Sequence, residues 1–94
     1  MLIVSGRLYI KPGRREEYLK LSLESVAQAR QAPGCGDFVV AADPLVEDRV
    51  NVYEEWESEE ELLAFRNAGR ASSMFSLIAH FEVSRHIIAS SGPP

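Results

Sequence analysis

Glu54 and Trp56 stand two residues apart in the run Val50-Asn51-Val52-Tyr53-Glu54-Glu55-Trp56-Glu57. The β-branched and aromatic content of that run reads as a strand. Residues two apart on a strand share a face, so Glu54 interrupts an otherwise apolar side formed by Val50, Val52 and Trp56. A carboxylate on such a side loses water, and burial favours its neutral form. A base with a raised pKa is what proton abstraction from a phenol or an enol requires. The same carboxylate is equally well explained as an ion-pair partner of Arg85, which falls beside Phe81 and Val83 on the corresponding side of the last strand. Trp56 likewise has two readings, a core aromatic or a wall on which a planar substrate stacks.

Phe38, Val52, Phe65, Met74 and Phe75 are the apolar residues placed to line a pocket around Glu54 and Trp56, with Arg85 as a polar contact to substrate. Aromatic residues at helical spacing serve more often as core. His80 and His86 alternate onto the face opposite Phe81; six strand residues separate them by roughly 20 Å, too far to ligate one metal. Either is a weaker candidate base. Cys35 begins a strand after Pro33-Gly34 and reads as a buried, inert thiol. Six glutamates crowd residues 54–61; around Ser58 they suit the positive end of a helix rather than a metal site. With one cysteine, no GxGxxG and no closely spaced ligand set, no metal, flavin or nicotinamide is expected.

The chain that must position these residues has 94 of them, enough for one domain over residues 1–90, with 91–94 expected as a disordered tail. Its 46% hydrophobic and 26% charged content is that of a folded protein. A formal charge of −4 argues against a nucleic-acid partner. No apolar run is long enough for a membrane span, and the first residues lack the basic and long apolar stretches of a secretory signal. A cytoplasmic location is therefore expected.

Residues 2–10 alternate as a strand closed by Lys11-Pro12-Gly13. Arg14 to Ala32 carries a helical period, with Leu19, Leu23, Val26 and Ala27 as the apolar stripe and Pro33-Gly34 as the stop. Cys35–Ala42 and Arg49–Glu57 form a hairpin across the loop 43–48. Ser58 opens a second helix, with Glu61 at the capping-box spacing, Leu62, Leu63 and Phe65 on its apolar side, and Gly69 at its close. Residues 70–78 are a short bridge, and Ala79–Ala89 is the last strand. The order strand-helix-strand-strand-helix-strand is the split βαβ pattern of a ferredoxin-like α+β fold on one four-stranded antiparallel sheet. Two helices cover one face of such a sheet. The other bears Ile3, Tyr9, Val39, Tyr53 and Ile88, which favours a homodimer joined face to face.

These landmarks resemble the antibiotic biosynthesis monooxygenase family: Lys11-Pro12-Gly13 after the first strand, Ala32-Pro33-Gly34-Cys35 after the first helix, and Val52-Tyr53-Glu54-Glu55-Trp56-Glu57-Ser58. The resemblance spans about residues 2–89. It implies a dimeric α+β barrel and a cofactor-independent monooxygenase that combines O₂ with an electron-rich aromatic, quinol or polyketide-like small molecule. It does not extend to haem degradation. The positions at which that branch has Asn, Trp and His are here Gly6, Phe65 and Phe75, none able to ligate iron. The Asn that the polyketide branch places four residues before the strand Trp is here Val52; Asn51 is one residue off and on the opposite face. Where quinol-type members have a helix His, this chain has the stretch from Phe65 to Arg70. A ligand-binding or structural dimer without catalysis is the alternative.

Overall fold

The computed structural model describes residues 1–68 and 72–94. Seven elements follow one another: β1 (Leu2–Ile10), α1 (Arg15–Gln31), β2 (Cys35–Ala42), β3 (Arg49–Trp56), α2 (Glu59–Asn67), α3 (Ser72–Phe75) and β4 (Ile78–Ile87). The strands form one antiparallel sheet in the order β2-β3-β1-β4, the expected α+β architecture. The expected bridge contains the single turn α3, and β4 starts one residue earlier and ends two earlier than the sequence pattern predicts. Gly69, expected to close α2, and Arg70 lie outside the described residues. Among those described, no helix is long and apolar enough to cross a membrane.

Alternation decides which side chains meet the helices. On β1 the even residues Leu2, Val4, Leu8 and Ile10 are buried. Register carries the same face across the sheet, pairing Val4 with Glu54 and with Arg85, and Glu54 with Phe38. The opposite parity puts Ile3, Tyr9, Val39 and Tyr53 on the face without helices, where they are half-buried. That face is more polar than the apolar residues alone suggest. Arg7 pairs with Glu82 at 2.7 Å, His80 Nε2 lies 3.2 Å from the same carboxylate, and the His80 ring stacks on Tyr9 at 5.8 Å.

The helix α1 is rotated from its expected orientation. Its buried residues are Tyr18, Ser22 and Ala29, whereas Leu23, expected inside, is 66% exposed. Leu19 and Val26 are partly buried against the core; Ala27 is exposed. Fit sets the rotation. Ala29 is small enough to sit against Trp56 and Phe38 at one end, while Tyr18 fills the other end beside Leu8, Met74 and Leu77. Arg15 fastens the start of the helix: its Nη1 donates to the backbone oxygens of Asp43, Val46 and Arg49 at 3.1–3.4 Å. In that loop the Asp43 carboxylate accepts from Asn51 and from the amides of Leu45 and Val46, which hold its pKa at about 2. Asn51 is thus part of a loop anchor. At α2 the expected cap is formed, Ser58 Oγ accepting from the Glu61 amide at 3.3 Å.

The core falls into two clusters. One gathers Leu2, Val4, Ala29, Phe38, Trp56 and Leu62; the other Leu8, Ile10, Tyr18, Val50, Met74 and Leu77. Between Val4 and Leu8 stands Gly6, at φ +151°, where an added Cβ would strike the Glu82 carbonyl oxygen and approach Val83 Cα at 2.8 Å. Backbone atoms cannot move aside as side chains do. We therefore expect Gly6→Ala to cost about 2–4 kcal/mol through strain and overpacking. At roughly 4–8 °C per kcal/mol that lowers the melting temperature by on the order of 10 °C or more, measured by calorimetry.

Candidate functional site

A cavity of about 640 Å³ opens between the sheet and the helices and separates the two core clusters. β1 lines it with Val4 and Leu8 and has no side chain at Gly6 between them, and the residues paired with Gly6 on either side, Val52 and Val83, are modest in size and line the space. Strand alternation supplies Phe38, Val40 and Glu54 to the same wall. The helices supply Phe65 and Arg66 from α2, Met74 and Phe75 from α3, and Tyr18, Ser22 and Ser25 from α1.

Glu54 is the one carboxylate in this lining. Burial pushes its pKa above the usual carboxylate range, opposed by a hydrogen bond from Trp56 and by the charge of Arg66. Trp56 Nε1 donates to Glu54 Oε1 at 2.9 Å, fixing one carboxylate oxygen through a residue two positions along the strand. The indole itself is 1% exposed and does not line the cavity. It lies behind the carboxylate, with its ring 5.3 Å from that of Phe65, which in turn meets Phe38 edge-on at 5.8 Å. Of the two readings of Trp56, its place is that of the core aromatic and not of a stacking wall. Its orientation on the strand is as expected, but α2 closes over the ring and leaves its N–H directed at Glu54.

Six of the residues singled out from the sequence, Phe38, Val52, Glu54, Phe65, Met74 and Phe75, come together around the cavity. Arg85 does not. It faces the helix side as expected, yet β4 is an edge strand and Arg85 Nη1 reaches Glu59 Oε1 at 3.0 Å instead of Glu54. The Glu54–Arg85 ion pair, one of the two readings of Glu54, is not formed. The reason is position: Glu59 in the first turn of α2 is accessible from the sheet edge, whereas Glu54 lies two strands in, beyond β1. The cation that faces Glu54 is Arg66, which adjoins Phe65 in sequence and was not expected. His80 and His86, paired with Tyr9 and Ile3, sit on the other face of the sheet and cannot act as base in this cavity. Cys35 is half-buried, its Sγ donating to the Asp37 carbonyl and its thiol pushed up by burial.

Tyr18, Ser22 and Ser25 are the main residues the sequence reading missed. Their spacing of four and three was visible, but leucines on the same segment gave the stronger apolar signal. Among the described residues no three His, Cys, Asp or Glu side chains stand close enough to hold a metal ion. At the Gly6 position any side chain would meet the β4 backbone, so the haem-branch asparagine has no room there. What the arrangement offers chemically is an apolar chamber with one proton acceptor of raised pKa, oriented by an indole N–H, and a guanidinium nearby.

The sequence profile of the antibiotic biosynthesis monooxygenase family matches residues 1–81. No functionally curated protein matches the chain. Solved structures resemble it over nearly the whole length. A protein from Chloroflexus aurantiacus J-10-fl, provisionally assigned as an antibiotic biosynthesis monooxygenase, has 24% identity and a TM-score of 0.78, covering 98% of this chain and 96% of its own. One of the same provisional assignment from Deinococcus radiodurans has 15% identity and a TM-score of 0.82, covering 100% and 98%. A third, from Nitrosomonas europaea, has 13% identity and a TM-score of 0.83, covering 96% and 100%. At these identities the likeness is one of fold.

Proposed function

The chain belongs to the antibiotic biosynthesis monooxygenase family, and from that premise we propose that it is a cofactor-independent monooxygenase acting on an electron-rich aromatic, quinol or enol. The observation that carries this reading is Glu54: a carboxylate of raised pKa, oriented by Trp56, at the wall of an open apolar cavity. A structural core would be filled at this point. An open space reaching a basic carboxylate is what a proton-abstracting site needs.

Glu54 takes a proton from the bound substrate, leaving an electron-rich anion that can itself reduce O₂. For an activated methylene the balance is R₂CH₂ + O₂ → R₂C=O + H₂O: the substrate supplies the electrons, one oxygen atom enters it, and the other leaves as water. Low polarity in the chamber favours the entry of both reactants, and Arg66 stabilises the negative charge that proton transfer moves onto the substrate. Oxygen consumption measured with a series of hydroquinones and anthrone-like compounds tests the reading. Catalysed uptake with stoichiometric oxygenated product is the expected result; no protein-dependent uptake across the series overturns it.

The protein acts as a homodimer in this proposal. The face without helices carries Ile3, Tyr9, Val39 and Tyr53, half-buried in the single chain with no layer packed over them. A face-to-face pairing of sheets is expected to bury on the order of 2,000 Å². Sedimentation at micromolar concentration should give the dimer mass, and a monomer there would count against the pairing.

A further inference from the structure

The side that α1 turns towards the cavity is made of hydroxyls. Tyr18, Ser22 and Ser25 recur at i, i+4 and i+7, the spacing of one helix face, and all three line the space. They extend about 10 Å along the helix at 1.5 Å per residue. The more apolar Leu21 and Leu23 are turned outwards. Leu19, Val26 and Ala29 pack against the core clusters, but the part of α1 that borders the cavity itself carries hydroxyls, suited to something other than hydrocarbon.

The three hydroxyls are not equivalent. Ser22 Oγ already donates to the Leu19 carbonyl at 2.7 Å, so towards the cavity it can only accept. Tyr18 is 4% exposed and sits among Leu8, Ile10, Val50, Met74 and Leu77. Its Oη makes no hydrogen bond within the described residues, and only burial acts on its phenol, raising the pKa and keeping the proton in place at neutral pH. Among the described residues no side-chain N or O sealed from solvent lacks a partner, so Tyr18 Oη is open to the cavity. A donor at the wall of a cavity is completed by water there or by an acceptor on the ligand that displaces that water.

We infer that this row is the specificity subsite of the cavity, with Tyr18 Oη donating to an oxygen acceptor, a carbonyl or phenolic oxygen, on the edge of a planar ligand away from the atom presented to Glu54. The inference rests on the cavity being the substrate site proposed above, but not on turnover. A ligand with oxygen on that edge satisfies Tyr18. A hydrocarbon of the same shape leaves it unpaired and is rejected for that reason.

Anaerobic titration of the full-length protein with anthracen-9(10H)-one and with 9,10-dihydroanthracene, which has the same skeleton and no carbonyl, tests this. Trp56 is the only tryptophan, and the quenching of its fluorescence, with calorimetry in parallel, reports binding. The wild type should bind the ketone about tenfold more tightly, the effect of one hydrogen bond to a buried donor. Tyr18→Phe should abolish most of that preference, leave dihydroanthracene binding unchanged, and keep or raise the melting temperature, since the lost hydroxyl has no partner in the fold. Equal affinities in the wild type, an equal loss for both probes in Tyr18→Phe, a sharp fall in its melting temperature, or no saturable binding of either probe would each overturn the subsite. Failure of oxygen uptake with the preference intact would strike the proposed activity alone.

Discussion

Glu54→Gln is expected to reduce catalysed oxygen uptake by about 10²–10⁴-fold, the usual contribution of a positioned general base, while the protein remains folded. Gln keeps the shape and retains an oxygen that accepts from Trp56 Nε1, so the 2.9 Å hydrogen bond has a successor. Stability should respond in a specific sense. The pKa of Glu54 is raised in the folded protein, chiefly by burial. Such a group contributes stability that is fully present below its unfolded value near 4.5 and is lost as pH rises through its folded value. The wild type should therefore lose stability relative to Glu54→Gln as pH rises above about 4.5, and the variant should melt at the same or a higher temperature at pH 7. Because only ionised Glu54 accepts a proton, wild-type uptake should also fall as pH is lowered through the raised pKa. Full activity in the variant would remove Glu54 from the chemistry. A large fall in its melting temperature at pH 7 would show that the carboxylate holds the fold through a charge partner.

Trp56→Ala should be the most destabilising of the substitutions considered. The indole is 1% exposed, belongs to the core cluster of Leu2, Val4, Ala29, Phe38 and Leu62, and lies against Phe65. Removing a buried Trp costs roughly 3–5 kcal/mol in lost transfer energy and residual cavity. In a domain of this size the melting temperature falls by well over 10 °C, at roughly 4–8 °C per kcal/mol. Trp56→Phe separates packing from positioning. It keeps most of the buried volume and deletes the N–H that lowers the Glu54 pKa. The carboxylate pKa should rise further, and the acid limb of the pH–rate profile should move to higher pH. A residue that served packing alone would lower the melting temperature and leave that limb unmoved.

Much of the site follows from alternation on one strand. Val50, Val52, Glu54 and Trp56 share a face because side chains on a strand repeat every two residues, and burial of one side of the sheet fixes the register. The order of elements, the capping box at Ser58 and Glu61, the Pro33-Gly34 stop and the inward placement of Phe38 are local or periodic properties, so the linear sequence determines them. The family resemblance rests on the same landmarks, and the profile match over residues 1–81 agrees with it.

Partnership and rotation were decided elsewhere. The sequence puts Arg85 and Glu54 on one face, but face does not fix distance: β1 lies between their strands, and Glu59 at the start of α2 takes Arg85. Trp56 was legible as inward, whereas its service to Glu54 depends on α2 closing over the ring. The rotation of α1 had no reliable signal in hydrophobicity, because Leu19, Leu23 and Val26 outweighed Tyr18, Ser22 and Ser25 in any apolar count. What turns the helix is three-dimensional fit, Ala29 against Trp56 and Tyr18 against Met74 and Leu77, together with the gap at Gly6 that keeps the two core clusters apart. Element order and the two faces of each strand are legible in the linear chain, since they are periods and stops of a single segment. Which face of α1 turns inward, which charges meet, which aromatic stands behind the carboxylate and which hydroxyls border the cavity depend on distances between segments far apart in sequence.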